Sequence, residues 1–333
     1  MNDPFGRSQE STDPPAQEGY SPEPFGTDAQ PPAHEPDTTT DLPDLSGPLT
    51  PSGNLPRRQL VSRFFEAAQT GAAVLAVAVL GIVIYSVAAR GASVLSLSFL
   101  TQAPPLVSSE PGGGIAPEIV GTIVIVALAT LIATPIGVLS ALYLTEFAST
   151  WTANAFRLVL DLLNGVPSII IGLFVFGLLV VGHHQSGFAA SVALAIIMLP
   201  LIARATQETL LLVPAGMREA ADALGVSRWR TVRGVVLPTA RGGILTATVL
   251  SVARAAGETA PLIFLSSVYG NTVAVNPFGK GLPNIPVYIF EASEAADPNG
   301  FARAWGAAFV LLAFILFANI VSRTLSRRSA LSR

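Results

Sequence analysis

The chain has 333 residues, of which 50% are hydrophobic and only 12% are charged. Soluble domains carry about 25% charged residues, so this composition excludes an ordinary soluble domain and indicates a membrane protein. The net charge of −3 is unevenly distributed, because residues 1–56 hold ten acids and one base, whereas the remaining residues hold twelve acids and eighteen bases. The chain contains no cysteine, which excludes a disulfide framework and a thiolate metal site.

The N-terminal segment, residues 1–56, contains twelve prolines and few apolar residues. Such a segment cannot bury enough apolar surface to offset the entropy cost of ordering it. We therefore predict a disordered, acidic, proline-rich tail that lies in the cytoplasm and is not needed for function. Because it has no apolar core, we do not interpret it as a signal peptide.

Six apolar runs follow the tail and predict an all-α polytopic membrane protein with six transmembrane helices. A single six-span domain is predicted over residues 57–325, with a basic C-terminus at 326–333. Most arginines after the tail lie before the first run, between the fourth and fifth runs, and after the sixth run. The positive-inside rule therefore places both termini and the 204–241 loop in the cytoplasm. The runs cover about 67–89, 119–145, 158–182, 187–203, 242–267 and 304–322.

The third run carries polar residues near its start. Arg157 and Asp161 are one helical turn apart and are expected to pair, while Asn164 shares the face of Asp161. The segment Gly165-Val166-Pro167-Ser168 is expected to bend the helix. We interpret these polar groups as contacts that hold helices together within a bundle.

The fifth run contains an arginine at a depth where charge is costly. Arg254 stands about 12 residues into the run, or roughly 18 Å along a helix, which is near the middle of a bilayer. An arginine there costs at least about 2.5 kcal/mol. One interpretation is a structural ion pair with Glu258, one turn further along. The other is an anion site on a water-filled path, because a guanidinium fork matches tetrahedral oxyanions and Thr259 adds a hydroxyl donor.

The loop between the fourth and fifth runs predicts a short helix from Ala215 to Leu224. Pro214 is favourable near a helix start, and Gly225 can end the helix in a left-handed conformation. Alanines leave a thin surface that another protein could approach. This helix therefore either binds a separate protein or packs as a connector on its own domain.

The same loop carries a family signature. Glu219-Ala220-Ala221, three residues, Gly225, nine residues and Val235-Val236-Leu237-Pro238 resemble the EAA loop of membrane subunits of binding-protein-dependent ABC importers. The resemblance implies the permease fold of type I importers and a non-catalytic chain whose short helix docks on a separate ATPase. ATP and Mg²⁺ then belong to that ATPase and no cofactor to this chain, in which no G-x-x-x-x-G-K-[ST] phosphate loop occurs. The implied coupling residues are Arg218, Glu219, Ala220, Ala221, Asp222 and Gly225.

A second resemblance concerns the transported substrate. The segments 253–262, 164–168 and 199–204 resemble those of A-type permease subunits of bacterial phosphate importers, over roughly residues 60–325. This resemblance implies that Arg254 serves phosphate passage, with Glu258 and Thr259 beside it. Arg204 is implied as a further pathway residue, although its expected position at a helix end also suits contact with lipid or the ATPase.

The resemblance also implies the partners of the chain in a bacterial inner membrane. They are a homologous permease subunit (PstC-type), two ATPase subunits (PstB-type), an external phosphate-binding protein (PstS-type), inorganic phosphate and membrane lipid, with no nucleic acid. Two alternatives stay open: a permease for another oxyanion, such as molybdate or sulfate, and a secondary anion transporter. Secondary transporters usually carry an inverted repeat, which this sequence does not display.

Overall fold

The computed structural model of the chain describes residues 55–295 and 297–331, with side chains for residues 57–295 and 297–324. By its internal contacts the chain divides into two units, Met1–Ala67 and Ala68–Arg333. In the first unit the described residues form the start of one helix, where Ser62 Oγ donates to Glu66 Oε1 at 3.3 Å. The predicted disordered tail lies outside the described residues, apart from its last two positions.

All the regular structure in the described residues is helical. Two short π-helical segments continue or precede longer helices: Tyr143–Phe147 follows α3, and Val232–Val236 precedes α9. The helices are α1 (Leu55–Gly91), α2 (Leu97–Thr101), α3 (Ala116–Leu142), α4 (Thr150–Gly165), α5 (Ser168–Leu179), α6 (Gly187–Leu211), α7 (Ala215–Ala223), α8 (Arg228–Thr231), α9 (Leu237–Ala255), α10 (Ala260–Leu265), α11 (Ile285–Glu294) and α12 (Pro298–Leu331).

Five helical segments of the described chain are long and apolar enough to cross a membrane. A sixth crossing is formed if α4 and α5, which are bent by 97° relative to each other, are taken as one broken span. The predicted fold class, an all-α membrane protein, is therefore confirmed, with six spans if the broken pair is counted as one. The five continuous segments are Arg57–Gly91, Ala116–Phe147, Gly187–Leu211, Arg228–Ala255 and Pro298–Thr324.

All six predicted spans differ from the helices in at least one bound, and two of these differences change the setting of predicted site residues. The fourth was expected to end at Ala203, but α6 continues to Leu211, so Arg204 lies inside a helix and not at its end. The fifth was expected to run unbroken to Ser267, but α9 ends at Ala255 and α10 starts at Ala260. Pro261 explains this second break, since its ring removes an amide donor and clashes with the carbonyl four residues earlier.

The centre of the fold is the contact between α3 and α6, which is built from small residues. Ala129 and Ala133 of α3 are fully buried, as are Ala189 and Ala193 of α6. A Cβ at Gly137 would lie 2.9 Å from Ile202 Cγ2. Small residues allow helix backbones to approach closely, as is usual between helices in membranes.

Both α3 and α6 run from the end of the bundle that contains α11 to the end that contains α7. At the α11 end, the amide of Ile285 donates to Thr122 Oγ1 at 2.9 Å. At the α7 end, Arg218 donates to a side chain after α3, to a carbonyl in the last turn of α6 and to the carbonyl of Val213 just after α6. The position of any other site along the bundle of the second unit can be stated relative to these two ends.

A buried arginine holds the loops at the α11 end. Arg303 of α12 is 3% exposed and donates to the backbone carbonyls of Ser108, Glu110 and Gly112 and to the hydroxyl of Tyr288. Burial raises the pKa of Tyr288 to about 12, so this hydroxyl stays protonated at physiological pH. The arginine therefore joins α11, α12 and the loop before α3.

Candidate functional site

Two helix breaks meet at one cavity in the middle of the bundle. The cavity has a volume of about 280 Å³ and is lined by the whole Leu163–Ser168 segment between α4 and α5. Arg254 and Glu258 line it from the end of α9 and the break that follows. Ile197, near the midpoint of α6, also lines it, which places the cavity midway between the α7 and α11 ends.

Arg254 and Glu258 form a loose ion pair at this cavity. Arg254 Nε lies 3.8 Å from Glu258 Oε1, and the two side chains are 57% and 18% exposed. This separation is well beyond the 2.7–2.9 Å of a charge-assisted hydrogen bond. In the described part of the chain, no other acidic side chain lies within ion-pairing distance of Arg254. The guanidinium is therefore only partly neutralised and can accept a further anionic partner.

The start of α5 adds a second favourable feature for an anion. α5 begins at Ser168 with Pro167 as its N-cap, and no side chain caps its first amides. Both residues line the cavity. Uncapped N-terminal amides, together with the positive end of the helix dipole, favour negative charge. The Pro167 bend that the sequence predicts therefore directs a helix N-terminus toward the cavity that Arg254 also lines.

Thr259 was expected to add a hydroxyl donor beside Arg254. In the structure it is the N-cap of α10, and its carbonyl accepts from the amides of Leu262 and Ile263 at 3.1 and 3.2 Å. Thr259 is not among the residues that line the cavity. Its contribution here is to the start of α10, which follows the break.

The two broken spans are held together by a close contact between α5 and α10. A Cβ built at Gly172 of α5 would lie 2.6 Å from Pro261 Cα of α10. Contacts this short leave no room for a side chain, so only glycine fits at position 172 without movement of the backbone. This contact holds α5 and α10, the helices that follow the two breaks, against each other.

Arg204 lies in a separate cavity of about 350 Å³, further along α4 and α6 toward α7. Its guanidinium is paired with the carboxylate of Asp161 on α4, and Nε lies 4.0 Å from Glu208 Oε1. The expected pair between Arg157 and Asp161 is wrong, because Arg157 Nη1 donates to Asn154 Oδ1 at 3.2 Å. Packing of α4 against α6 brings Arg204 to Asp161, and no local spacing rule anticipates that contact.

The loop helix α7 has the expected form. It runs from Ala215 to Ala223, with Leu224 as C-cap, and Gly225 has φ of +70°. Glu219, Ala220 and Asp222 are exposed, so the helix presents them away from its own chain.

Two residues of this segment face inward, contrary to the outward position that the resemblance implied. Ala221 is 8% exposed. Arg218 forms an ion pair with Glu146, whose side chain is 6% exposed. Exposed apolar side chains instead flank the helix, with Leu224 82% and Trp229 58% exposed. Sequence reasoning missed these two, although large apolar residues inside a charged loop are a usable signal.

The chemistry of the mid-bundle cavity is that of anion binding. Among the described residues, no group of three or more histidine or acidic side chains is placed to hold a metal ion. The cavity offers instead a half-exposed guanidinium, a helix N-terminus and one carboxylate. These groups can hold a small oxyanion.

Comparison with known proteins gives a consistent family. A family profile described as the inner membrane component of binding-protein-dependent transport systems matches residues 133–330. The phosphate transport system permease protein PstA of Yersinia pestis is 36% identical over 247 residues, covering 73% of this chain and 82% of that protein. PstA of Haemophilus influenzae is 39% identical over 245 residues, covering 72% and 85%. PstA 1 of Mycobacterium tuberculosis is 37% identical over 212 residues, covering 63% and 69%.

Solved structures show the same fold at lower identity. A bacterial alginate ABC transporter, in complex with an alginate pentasaccharide-bound periplasmic protein, matches with a TM-score of 0.56 at 16% identity, covering 82% of this chain and 98% of that one. The MetNI methionine ABC transporter in an inward-facing conformation matches with a TM-score of 0.50 at 22% identity, covering 65% and 94%.

Proposed function

The chain belongs to the family of binding-protein-dependent transport system inner membrane components, and we propose that it is the permease subunit of an ATP-driven phosphate importer. In this function it forms half of the translocation path and hydrolyses no ATP itself. The relatives that carry the substrate name are PstA proteins at 36–39% identity.

The observation that carries the proposal is the meeting of two helix breaks around Arg254. Backbone polar groups at membrane depth must be satisfied by protein or by water in a cavity. Transporters use such discontinuous helices to build substrate sites near the bilayer midplane. Here the breaks after Gly165 and after Ala255 line a single cavity at the midpoint of α6.

Phosphate suits the groups at this cavity. The guanidinium of Arg254 presents a planar fork of donors that matches two oxygens of a tetrahedral oxyanion. The N-terminal amides of α5 supply neutral donors. Glu258 lies 3.8 Å from Arg254 Nε and lowers the net positive charge of the site, so it weakens the hold on the anion and favours its release.

Arg204 serves phosphate later on the path in this proposal. It lies between the Arg254 cavity and the α7 end, in a groove that Arg157 and Gln207 also line. The guanidinium of Arg204 forms an ion pair with Asp161 in this structure. Thr259 acts indirectly, by starting α10.

The partners follow from the family and from the exposed face of α7. The complex contains two ATPase subunits of the PstB type, and one of them binds Glu219, Ala220 and Asp222 of this chain. A PstC-type permease supplies the other half of the path, and a PstS-type protein delivers phosphate at the α11 end. In this arrangement both termini and α7 lie on the cytoplasmic side. The concentration of arginines between α6 and α9 supports this orientation through the positive-inside rule.

The test is the anion that drives the assembled complex. The chain would be reconstituted in proteoliposomes with its PstC-type and PstB-type subunits. Binding proteins for phosphate, sulfate or molybdate would then be added one at a time, each with its own anion. We expect phosphate alone to stimulate ATP hydrolysis and to accumulate inside. Stimulation by sulfate or molybdate would assign a different oxyanion, and ATP-independent uptake driven by an ion gradient would indicate a secondary transporter.

A further inference from the structure

Arg218 lies directly before the exposed acid Glu219 of α7, yet its side chain points into its own chain. Nε and Nη2 donate to Glu146 Oε1 at 3.2 and 2.9 Å. Nη1 donates to the carbonyl of Val213 at 2.7 Å, and Nη2 to that of Leu210 at 2.9 Å. One side chain of α7 therefore makes four hydrogen bonds, which reach the segment after α3, the last turn of α6 and the loop between α6 and α7.

Glu146 belongs to the π-helical segment that continues α3. Its side chain is 6% exposed, and it is 72 residues from Arg218 in the sequence. A buried carboxylate without its partner is strongly disfavoured, whereas removal of both charges together is tolerated much better. The pair therefore binds α7 firmly to the end of α3.

The carbonyl of Leu210 belongs to the last turn of α6, and that of Val213 follows the C-cap, Leu212. The last carbonyls of a helix have no partner within the helix, and they form the negative end of its dipole. A guanidinium satisfies both requirements at once. Through Arg218, α7 is thus attached to α6, the helix that carries Ile197 at the Arg254 cavity and also carries Arg204.

Apart from Arg218, the residues of α7 are little buried against the rest of the second unit. Among its nine residues, Ala221 alone is buried, and the others are exposed or half-buried. A displacement of α7 can pass to the spans through the chain at its two ends, through Ala221, or through Arg218. Of these, the arginine makes the stiffest connection, since it is charged, half-buried, paired with the buried Glu146 and bonded in several directions.

We propose that Arg218 and Glu146 form a positioning pair that transmits movement of α7 to α3 and α6, and so couples the ATPase to the phosphate path. The inference rests on the proposed function, in which α7 is the element that the ATPase grips. It assigns Arg218 a role inside the permease, although its place in the loop signature suggests contact with the partner.

The test uses the assembled complex with the variants Glu146→Ala, Arg218→Ala and the double variant. We expect ATP hydrolysis and co-purification of the ATPase to persist, while phosphate imported per ATP falls at least about tenfold in each single variant, because a broken buried pair releases α7. The double variant leaves neither charge buried alone, so it should assemble at least as well as the single variants, while the phosphate imported per ATP stays low. Glu66→Ala, which replaces an exposed acid of α1, is the control.

A distance measurement gives a readout that does not depend on phosphate. The chain has no cysteine, so spin labels can be placed at Ala215→Cys on α7 and Leu139→Cys on α3, both of which are exposed. We expect the distance between the labels to stay constant between the nucleotide-free and ATP-bound states of the otherwise unmodified complex. In the Glu146→Ala complex it should change or broaden on ATP binding.

Two results would overturn the inference. One is an unchanged yield per ATP together with an unchanged label distance in Glu146→Ala. The other is parallel loss of assembly, hydrolysis and uptake that the double variant restores together, which indicates a merely structural pair. If Glu146→Ala does not assemble, Glu146→Gln, which keeps the side-chain size, is measured under the same criteria. A full complex that imports no phosphate contradicts the proposed function, and the label distances still decide the link.

Discussion

At the scale of single residues, the position of Arg254 decides what its charge can do. The sequence places it deep in an apolar run, where a structural pair with Glu258 and an anion site are both reasonable. The structure separates Nε and Oε1 by 3.8 Å and leaves the arginine 57% exposed beside a cavity. A pair that served only to neutralise a buried charge would be shorter and more enclosed.

Replacement of Arg254 tests this directly. Arg254→Gln should lower phosphate uptake at least about tenfold, because hydrogen bonds to a charged group contribute about 1.5–3 kcal/mol. Arg254→Lys should recover only part of the uptake, since a point charge lacks the bidentate fork. Uptake into proteoliposomes would be measured beside subunit co-purification, with the exposed Arg323→Gln as control. Normal uptake by Arg254→Gln would leave the pair with Glu258 a structural role only.

At the scale of elements, the bundle depends on where helices stop. Pro167 and Pro261 break two spans, and the close contact between Gly172 and Pro261 holds the broken pieces against each other. At the α7 end, Gly225 ends the loop helix with φ of +70°, a value that side-chain-bearing residues rarely adopt. Gly172 is therefore required for a close approach of two helices, whereas Gly225 is required for a backbone conformation.

Gly172→Val should disturb the cavity by separating α5 from α10. Overpacking of this kind costs typically about 1–3 kcal/mol. We expect a lower thermal unfolding temperature of the purified complex and a loss of uptake. Gly177→Ala on the same helix is the matched control, because a Cβ there meets nothing within 4 Å. Equal behaviour of the two variants would show that the α5–α10 contact is not needed.

Gly225→Val should misdirect the chain as it leaves α7. A Cβ at this position meets nothing within 4 Å, so the cost is one of backbone conformation, about 1–2 kcal/mol. We expect weaker binding of the ATPase, measured by co-purification and titration, with the phosphate affinity of the external binding protein unchanged. Gly216→Ala, inside α7 with equally open space, should preserve binding. Intact ATPase binding by Gly225→Val would contradict a role for the left-handed turn.

At the scale of the whole molecule, the chain combines a membrane domain with an acidic N-terminal segment of opposite character. The 18 most apolar consecutive residues in the described part of α1 have a mean hydropathy of 2.5, and none of this stretch is buried against the rest of the chain. Exposure of that surface to water would cost about 25 cal/mol per Å². The membrane is therefore part of what stabilises this helix.

Removal of the N-terminal segment tests whether it takes part in transport. A chain that begins at Leu55 should assemble and import phosphate within about twofold of the full chain, since a proline-rich acidic segment contributes no packed core. Uptake and co-purification would be measured together. A deletion that reaches Leu75 should fail, because too little of α1 remains to cross a bilayer. Normal assembly with abolished uptake in the shorter deletion would give the segment a direct role.

The sequence by itself determined the class of the fold and the character of the α7 loop. Apolar runs of membrane length, positive charge between them and the spacing from Glu219 to Pro238 depend on neighbouring residues only. The same holds for the left-handed turn at Gly225, because a preference for positive φ belongs to glycine itself. These features could be predicted because their physical causes act over a few residues.

The tertiary structure decided which groups meet. Asp161 pairs with Arg204 and not with Arg157, Arg218 turns inward to Glu146, and the bend at Pro167 faces the break after Arg254. Each of these contacts joins elements that are far apart in the chain. Their formation depends on how α3, α4, α6 and α9 pack, and no local propensity or spacing rule encodes that packing.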